Sequence, residues 1–390
     1  MTLGFEPEKV LLYSKTMLLP IIIIGAFLVY FFSISEFSEE TYHSVHNMFV
    51  IISAITFIFA VLRHIPSMAM SVAVVFISYL IINSTRYTYG EDYMFSAGYN
   101  IWIIVALPNI LLACLLFSQN KPYKYWSAFF IFLFAQTAII EKVQNQSIDA
   151  DSYFFYKHIG MLNYPALAVA SVCIVVLLVH QIMKGKILNS AGLYISVAVI
   201  SGLYFSDNLF AFSLFFFAAV LIALLSSVYY AYYILYKDEE LNIANVRSFF
   251  RDAERKYPLK YSISLMYMDE YSRLIKRFGK SKALILKKMF LAQIRKANRK
   301  VKIYNYKSDA LILAFLNANS AETFNDAENI RRILAKSIFV FNENNHLQLT
   351  VSQCVSEKKR SDADASVVLS RAEDNLRKAC KFTHNITVKA

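Results

Sequence analysis

The sequence predicts two structural classes in one chain, a bundle of about eight transmembrane helices followed by an α/β domain with a mixed central sheet. Three observations predict this division. Of the 390 residues, 57% are hydrophobic and only 17% are charged, a charged share well below that of soluble domains. The net charge of +12 is divided unevenly, with −1 over residues 1–236 and +13 over residues 237–390. Gly279 is the only glycine after residue 236, which excludes from residues 237–390 the glycine-rich loop of P-loop and Rossmann nucleotide sites.

Eight apolar segments precede residue 237 and predict helices that cross a bilayer. A span needs about 20 residues, and aromatic residues beside the shorter segments extend them into the interfaces. The seventh segment is the most polar, because it contains Asn189, Ser190, Ser196 and Ser201. The segments are residues 10–32, 48–62, 68–82, 101–117, 126–140, 164–179, 187–205 and 209–236. We therefore assign residues 1–236 to a transmembrane domain that senses a signal or anchors the chain.

Charges in the short loops predict the orientation of this domain. In the second, fourth and sixth connections every charged residue is basic, namely Arg63, Lys121, Lys124, Lys184 and Lys186. The other connections are mainly acidic, with Glu36, Glu39, Glu40, Glu91, Asp92, Asp149, Asp151 and Asp207. Because positive loops stay inside, both termini are predicted to be cytoplasmic, in the inner membrane of a bacterium.

Several polar residues lie in or near the predicted spans: Lys15, Asn83, Arg86, Asn109, Gln136, Glu141 and Asn163. We interpret them as partners in hydrogen bonds between helices, or as side chains that reach the interface. A functional site inside the membrane is the alternative.

The polar part of the chain begins with a charged segment and continues with alternating strand and helix patterns. In residues 237–258, Leu241, Ala244, Phe249 and Ala253 recur at helical spacing, which predicts a helical stalk that ends at Pro258. Residues 259–390 then predict the order β-α-α-β-β-α-β-α-β. The predicted strands are residues 262–268, 302–306, 310–316, 347–354 and 386–388, and the helices are residues 269–278, 282–296, 321–341 and 362–381. The turn at 307–309 makes a hairpin of the second and third strands.

This hairpin and the closing region carry a recognisable set of residues. The hairpin reads Asn305-Tyr306-Lys307-Ser308-Asp309-Ala310-Leu311, and Leu349-Thr350-Val351-Ser352 precedes Arg371-Ala372-Glu373-Asp374-Asn375-Leu376 and Asn385. In this order and spacing, residues 239–390 resemble the GGDEF domain of diguanylate cyclases. That family has a Thr-Val-Ser strand, an Arg-Ala-Asp-x-Ala-Leu helix and a terminal Arg-Asn. The resemblance implies a cytoplasmic GGDEF-like domain connected with cyclic di-GMP signalling.

The positions that carry the family's chemistry differ in this sequence. The family joins two GTP molecules with two divalent metals held by carboxylates. With Gly279 as the register, the first metal-binding Asp falls at Tyr267, and the guanine-reading residues fall at Ile275 and Leu284. The signature positions are occupied by Lys307, Ser308, Asp309, Ala310 and Leu311, and the phosphate contacts fall at Cys380 and His384. The resemblance therefore implies a degenerate domain with no catalytic residues, no cofactor and no metal. The alternative is that Asp269 and Asp309 still hold one metal ion.

A basic cluster precedes the hairpin. The family's inhibitory site for cyclic di-GMP is Arg-x-x-Asp, and here that position reads Asn298-Arg299-Lys300-Val301, which departs from both key residues. The cluster consists of Arg295, Lys296, Arg299, Lys300, Lys302 and Lys307. Such cations can hold the phosphates of a dinucleotide, anionic lipid headgroups or an acidic partner, or can form a solvated face. No motif that reads DNA or RNA accompanies them, and nucleic acid is not expected as a partner.

These observations together predict a membrane-bound, catalytically inactive GGDEF-like signalling or scaffold protein. It is expected to act as a homodimer or hetero-complex with cyclic-di-GMP enzymes or polysaccharide machinery, in biofilm or exopolysaccharide control. One alternative is a cyclic-di-GMP receptor that uses the basic cluster, and a further alternative is a divergent nucleotide cyclase.

Overall fold

The computed structural model describes residues 7–33, 38–90, 96–117, 123–144, 158–238, 240–258, 260–342 and 345–390. The chain divides into two compact units, Met1–Ala231 and Tyr232–Ala390. Several of the charged loop residues lie outside the described ranges, namely Glu36, Glu91, Asp92, Lys121, Asp149 and Asp151.

Helices make up the N-terminal part of the chain. Within the described ranges they are α1 (Pro7–Ser33), α2 (Glu39–Leu62), α3 (Pro66–Tyr89), α4 (Ala97–Leu116), α5 (Tyr123–Gln144), α6 (Tyr164–Lys184), α7 (Ile187–Tyr204) and α8 (Leu209–Tyr236). A short hairpin of β1 (His158–Ile159) and β2 (Leu162–Asn163) precedes α6. Each of the eight predicted apolar segments overlaps one of these helices.

Six of the helices, α2, α3, α4, α6, α7 and α8, are long and apolar enough to cross a membrane. They include α7, the most polar of the predicted segments, because its mean hydropathy is still 1.5. The polar residues Asn189, Ser190 and Ser196 of α7 are buried inside the bundle. The described side chains of α1, Met17–Ser33, form an apolar stretch, and α5 includes the charged residues Glu141 and Lys142. Membrane-helix character is thus confirmed, whereas a count of eight spans stays a prediction.

Polar side chains in this unit pair with one another across helices. Asn109 of α4 donates a hydrogen bond of 2.8 Å from Nδ2 to Oε1 of Gln136 on α5. Asn163, the N-cap of α6, donates one of 2.8 Å from Nδ2 to Oδ1 of Asn100 on α4. In an apolar environment such pairs satisfy groups that would otherwise lose hydration. The predicted interhelical role is confirmed for these residues.

A seven-stranded sheet organises the C-terminal unit. Its elements are β3 (Lys237–Asp238), β4 (Ile243–Asn245), α9 (Val246–Arg255), β5 (Tyr261–Met268), α10 (Tyr271–Phe278), α11 (Lys280–Ala297), β6 (Lys302–Lys307), β7 (Ala310–Leu316), α12 (Ser320–Lys336), β8 (Ile338–Asn342), β9 (Asn345–Gln348), β10 (Val351–Glu357), α13 (Ala365–Ala379) and β11 (Thr387–Lys389). The strand order is β11-β10-β5-β7-β6-β4-β3. Strands β10 and β11 are parallel, as are β4 and β6, and the other neighbours are antiparallel. The predicted mixed α/β sheet is confirmed.

Both faces of the sheet are covered, because apolar residues alternate along its central strands. On β5, Ile263 and Leu265 pack with α9 and α13, whereas Met266 and Met268 pack with α10, α11 and α12 on the opposite face. Each such side chain contributes roughly 1.5–3 kcal/mol on full burial. The two layers hold the end of β5 and the β6–β7 hairpin in place.

The predicted helical stalk at 237–258 is wrong over its first half. Residues Lys237–Asp238 and Ile243–Asn245 pair as antiparallel strands at the edge of the sheet, and helix α9 begins only after the N-cap Asn245. The side chain of Asp238 accepts a hydrogen bond from the backbone N–H of Leu241, and Asn242 has a left-handed φ of 53°. These features form a turn. Strand β4 then pairs with β6, which satisfies the backbone groups of that edge.

Two further boundaries differ from the prediction. The helix predicted over 321–341 ends at Lys336, and the strand predicted over 347–354 is divided between β9 and β10. Strands β8 and β9 form a separate two-stranded sheet. Phe339 of β8 is buried against Phe290 of α11, with the ring centroids 5.6 Å apart. Phe339 thus anchors β8 to α11 through a buried aromatic contact.

Candidate functional site

A cleft lies where β5 ends beside the β6–β7 hairpin. Tyr267 of β5 pairs with Ala310, and the backbone N–H of Met268 donates to the carbonyl of Asp309 at 2.8 Å. The cleft has a volume of about 390 Å³. Its lining includes five positions that the resemblance singled out, Tyr267, Lys307, Asp309, Cys380 and His384, together with Asp269, Glu373 and Arg377. The structure therefore brings together residues that are more than 100 positions apart in the sequence.

Glu373 of α13 is the centre of a network in this cleft. Lys307 forms an ion pair with its carboxylate, and the hydroxyl groups of Tyr306 and Tyr267 donate to it at 2.7 Å and 3.3 Å. Lys307 also donates to the Tyr267 oxygen at 3.4 Å. Burial is the largest single influence on Lys307 and disfavours its charge, but the hydrogen bonds to Glu373 and Tyr267 and the electrostatic effect of Tyr267 and Tyr306 together outweigh it and raise the pKa of Lys307. Burial likewise opposes the charge of Glu373, while Lys307 lowers the pKa of that carboxyl.

Asp269 lies one residue beyond β5 and is almost fully buried. Its carboxylate accepts hydrogen bonds from Thr350 Oγ1 at 2.7 Å, Ser352 Oγ at 2.9 Å and the backbone N–H of Asn385 at 3.1 Å. Nδ1 of His384 lies 3.6 Å away. These donors join the end of β5 to β10 and to the loop before β11. Over the described ranges, no group of three or more His, Cys, Asp or Glu side chains comes together as a metal site.

Lys287 of α11 is a buried cation beneath the hairpin turn. Its ammonium donates to Asn305 Oδ1 at 2.8 Å, to the carbonyl of Lys307 at 3.0 Å and to the carbonyl of Ser308 at 2.7 Å. Burial lowers the pKa of Lys287 from 10.5 to about 8, against the opposing attraction of Asp238 and Asp309. The turn that occupies the signature position is thus held by a side chain from a helix.

Ile275 and Leu284, at the positions that read guanine in the resembling family, do not line the cleft. Both pack at the margin of the apolar core beneath α10 and α11. Neither side chain has a hydrogen-bonding group, so neither can read the edge of a base.

The predicted basic cluster is dispersed in the structure. Arg295 and Arg299 line a groove of about 430 Å³ together with Lys237. The ammonium of Lys302 lies 4.9 Å from the ring centroid of Tyr257 instead, and Lys307 belongs to the cleft. The two remaining members, Lys296 and Lys300, are exposed side chains that do not line the groove.

Three residues of these sites were not expected from the sequence. Glu373 belonged to a matched helix motif, yet nothing local connected it to Lys307. Lys237 was assigned to a stalk and lies 58 positions before Arg295. For Lys287 a signal existed, because it falls at helical spacing between the buried residues Ala283 and Phe290.

The sequence matches no family model, and no curated relative matches it. Among solved structures, the chain is similar to the FimX GGDEF domain from Pseudomonas aeruginosa, with 15% identity and a TM-score of 0.36, covering 40% of this chain and 99% of that one. It is similar to the GGDEF domain of DgcB from Caulobacter crescentus, solved with c-di-GMP, with 17% identity, a TM-score of 0.36, and coverage of 40% and 93%. It is also similar to the active GGEEF domain of a diguanylate cyclase from Vibrio cholerae, with 19% identity and a TM-score of 0.32, covering 37% of this chain and 89% of that one. The part of the chain that is similar to GGDEF domains is the C-terminal one.

Proposed function

We propose that the chain is a signalling or scaffold protein of the bacterial cytoplasmic membrane that does not synthesise cyclic di-GMP. The observation that carries this proposal is the network of Glu373 with Lys307, Tyr267 and Tyr306. It lies in the cleft that the resemblance assigns to metal ions and phosphates. A neutral phenol at Tyr267 cannot neutralise a divalent cation as a carboxylate does. The charge of Lys307 is already paired with Glu373 and is not free for a phosphate.

The test is an incubation of the full-length protein in detergent with GTP and either Mg²⁺ or Mn²⁺. The product is measured by mass spectrometry beside an active diguanylate cyclase. We expect no cyclic di-GMP above the protein-free control. Cyclic di-GMP formed by the purified chain would reject the proposal and establish the divergent cyclase in its place.

We propose that the chain instead acts by binding other proteins. The partners we propose are cyclic-di-GMP enzymes or the polysaccharide machinery, bound by a homodimer or a hetero-complex, with biofilm or exopolysaccharide control as the outcome. Pull-down of the full-length chain from detergent-solubilised membranes identifies the partners, and light scattering gives the number of copies. A strictly monomeric chain that retains no other protein would contradict this proposal.

The proposed orientation has the C-terminal unit in the cytoplasm. The basic loops support it, and among the described residues these include Arg63 and Lys186. A reporter that is active only in the cytoplasm, fused after residue 390, is expected to be active. A second reporter, active only on the outer side of the membrane, is fused at the same position. Its activity would show that the orientation is the opposite of the proposed one.

Binding of cyclic di-GMP is a second candidate function, favoured by the groove that contains Arg295 and Arg299. Titration calorimetry with the dinucleotide tests it directly. Heat that disappears on charge reversal of both arginines would establish a receptor, and no heat at tens of micromolar ligand would reject one.

A further inference from the structure

A groove with a positive wall and an apolar floor lies at the β3 edge of the sheet. Lys237, Arg295 and Arg299 are its cations, contributed by β3, the end of α11 and the following loop. Val301 and Ile303, which are both half-buried, contribute apolar surface to the same groove. All its lining residues belong to the C-terminal unit.

Among the described residues, the cations of the groove have no ion-pair partner, and the ammonium of Lys237 lies 5.2 Å from the ring centroid of Tyr233. Arg295 and Arg299 are exposed, and within the described part of the chain neither forms an ion pair. None of the described residues that line the groove is acidic. The adjacent Asp238 uses its carboxylate on Asn305 Nδ2 at 2.7 Å and on the backbone N–H of Leu241 at 2.8 Å. Successive strand residues point to opposite faces, so Asp238 is directed away from Lys237.

Chain connectivity places one cation of the groove directly after an apolar helix. Lys237 directly follows Tyr236, the last residue of the apolar helix α8. Tyr232, in the last turns of α8, is 57% exposed. Exposed tyrosines at the end of a span lie at the level of the lipid headgroups. Lys237 therefore follows directly on a helix that is apolar enough to cross a membrane, and it is one of the cations of the groove.

We propose that this groove binds the phosphate of an anionic phospholipid headgroup in the leaflet at which α8 ends. Arg295 and Arg299 can each donate two parallel hydrogen bonds to phosphate oxygens, and Lys237 adds a point charge. A soluble phosphodiester offers the same anion. Lipid is favoured as the source because Lys237 directly follows a helix apolar enough to cross a membrane and because Val301 and Ile303 offer apolar contact to a glycerol backbone. The proposal does not depend on whether the chain is an enzyme.

The experiment uses the full-length protein in a neutral detergent. Short-chain phosphatidylglycerol and phosphatidylcholine of the same chain length are titrated, and the apparent Kd of each is measured by native mass spectrometry. The test variant is Arg295→Gln with Arg299→Gln. The matched control is Arg360→Gln with Lys378→Gln, which removes the same charge at exposed positions that do not line the groove.

We expect the wild type to bind phosphatidylglycerol at least tenfold more tightly than phosphatidylcholine. The test variant should reduce this preference to within twofold, and the control should retain it. A preference that survives in the test variant, or that both variants lose equally, would overturn the proposal. Inorganic phosphate and cyclic di-GMP are titrated in parallel. If either binds as tightly as phosphatidylglycerol, and only through the two arginines, the lipid source is overturned. Should the double variant not fold, Lys237→Gln replaces it, with the same expected loss of preference.

Discussion

Replacing Lys287 by methionine removes a buried ammonium while keeping most of the volume of the side chain. Three oxygen atoms, on Asn305, Lys307 and Ser308, then lose their donor. An acceptor left without a partner costs about 1–3 kcal/mol when water cannot reach it. Ser308 and Lys307 are exposed, so water replaces part of the loss. We expect Lys287→Met to lower the free energy of unfolding by about 1–3 kcal/mol at pH 7.

The pH dependence of this loss is a sharper test. The pKa of Lys287 falls from 10.5 in the unfolded chain to about 8 in the folded unit. Between these values the unfolded chain binds more protons, so the stability of the wild type rises with pH relative to a variant that lacks the group. A fall of this size corresponds to roughly 3 kcal/mol at about 1.4 kcal/mol per pKa unit. The difference in stability between wild type and Lys287→Met should therefore widen by about 2 kcal/mol from pH 7 to pH 10.

Urea unfolding of residues 232–390, followed by circular dichroism at pH 7, 8.5 and 10, measures both effects. Lys288→Met is the matched control, because Lys288 is exposed on the same helix. The control should stay within about 0.5 kcal/mol of the wild type at every pH. If the free energies of unfolding of the wild type and Lys287→Met differ by the same amount at pH 7 and at pH 10, the reasoning about the buried charge is refuted.

Three other substitutions test separate parts of the fold. The hydrogen bond from Arg331 lowers the pKa of Glu328 from 4.5 to about 2, so the stability it contributes is present above about pH 5 and is lost as the pH falls toward 2. Glu328→Gln should remove that part of the acid dependence of urea unfolding, and an unchanged dependence would contradict it. An added Cβ at Gly192 would collide with Sγ of Cys114, so Gly192→Ala should lower the Tm in detergent by several degrees. Adding Cys114→Ala should recover most of that loss, and no recovery would locate the strain elsewhere. Asp269→Asn replaces an acceptor of three hydrogen bonds and should cost about 1–3 kcal/mol in urea unfolding, whereas an unchanged midpoint would mean that the network is not stabilising.

The central strands could be predicted because their apolar residues fill both faces of the sheet. The prediction for β7 agrees with the structure at both ends, and the prediction for β5 differs by one residue at its start. Strands β3 and β4 could not be predicted in this way. With two and three residues, they are too short to show alternation, and the residues of β6 that pair with β4 lie 60 positions later. The apolar residues Leu241 and Ala244 happened to fit a helical spacing as well.

In the site, too, positions within sequence motifs could be located in advance, whereas contacts between distant residues could not. The resemblance located Tyr267, Asp309, Cys380 and His384, and the structure places all four in one cleft. It did not reveal that Glu373 would pair with a lysine 66 positions away, because such a contact depends on how α13 packs on the sheet. Charge alone could not divide the basic cluster, since its members lie on elements that face in different directions.

The ion pair between Lys307 and Glu373 has a further consequence, because both partners belong to the same chain. A site occupied by a solute gains or loses its occupant as the concentration of that solute changes, and its stability changes accordingly. The Lys307–Glu373 pair forms between two residues of one chain and needs no solute to bridge them. The hairpin and α13 are therefore joined by a contact that does not require a bound ligand.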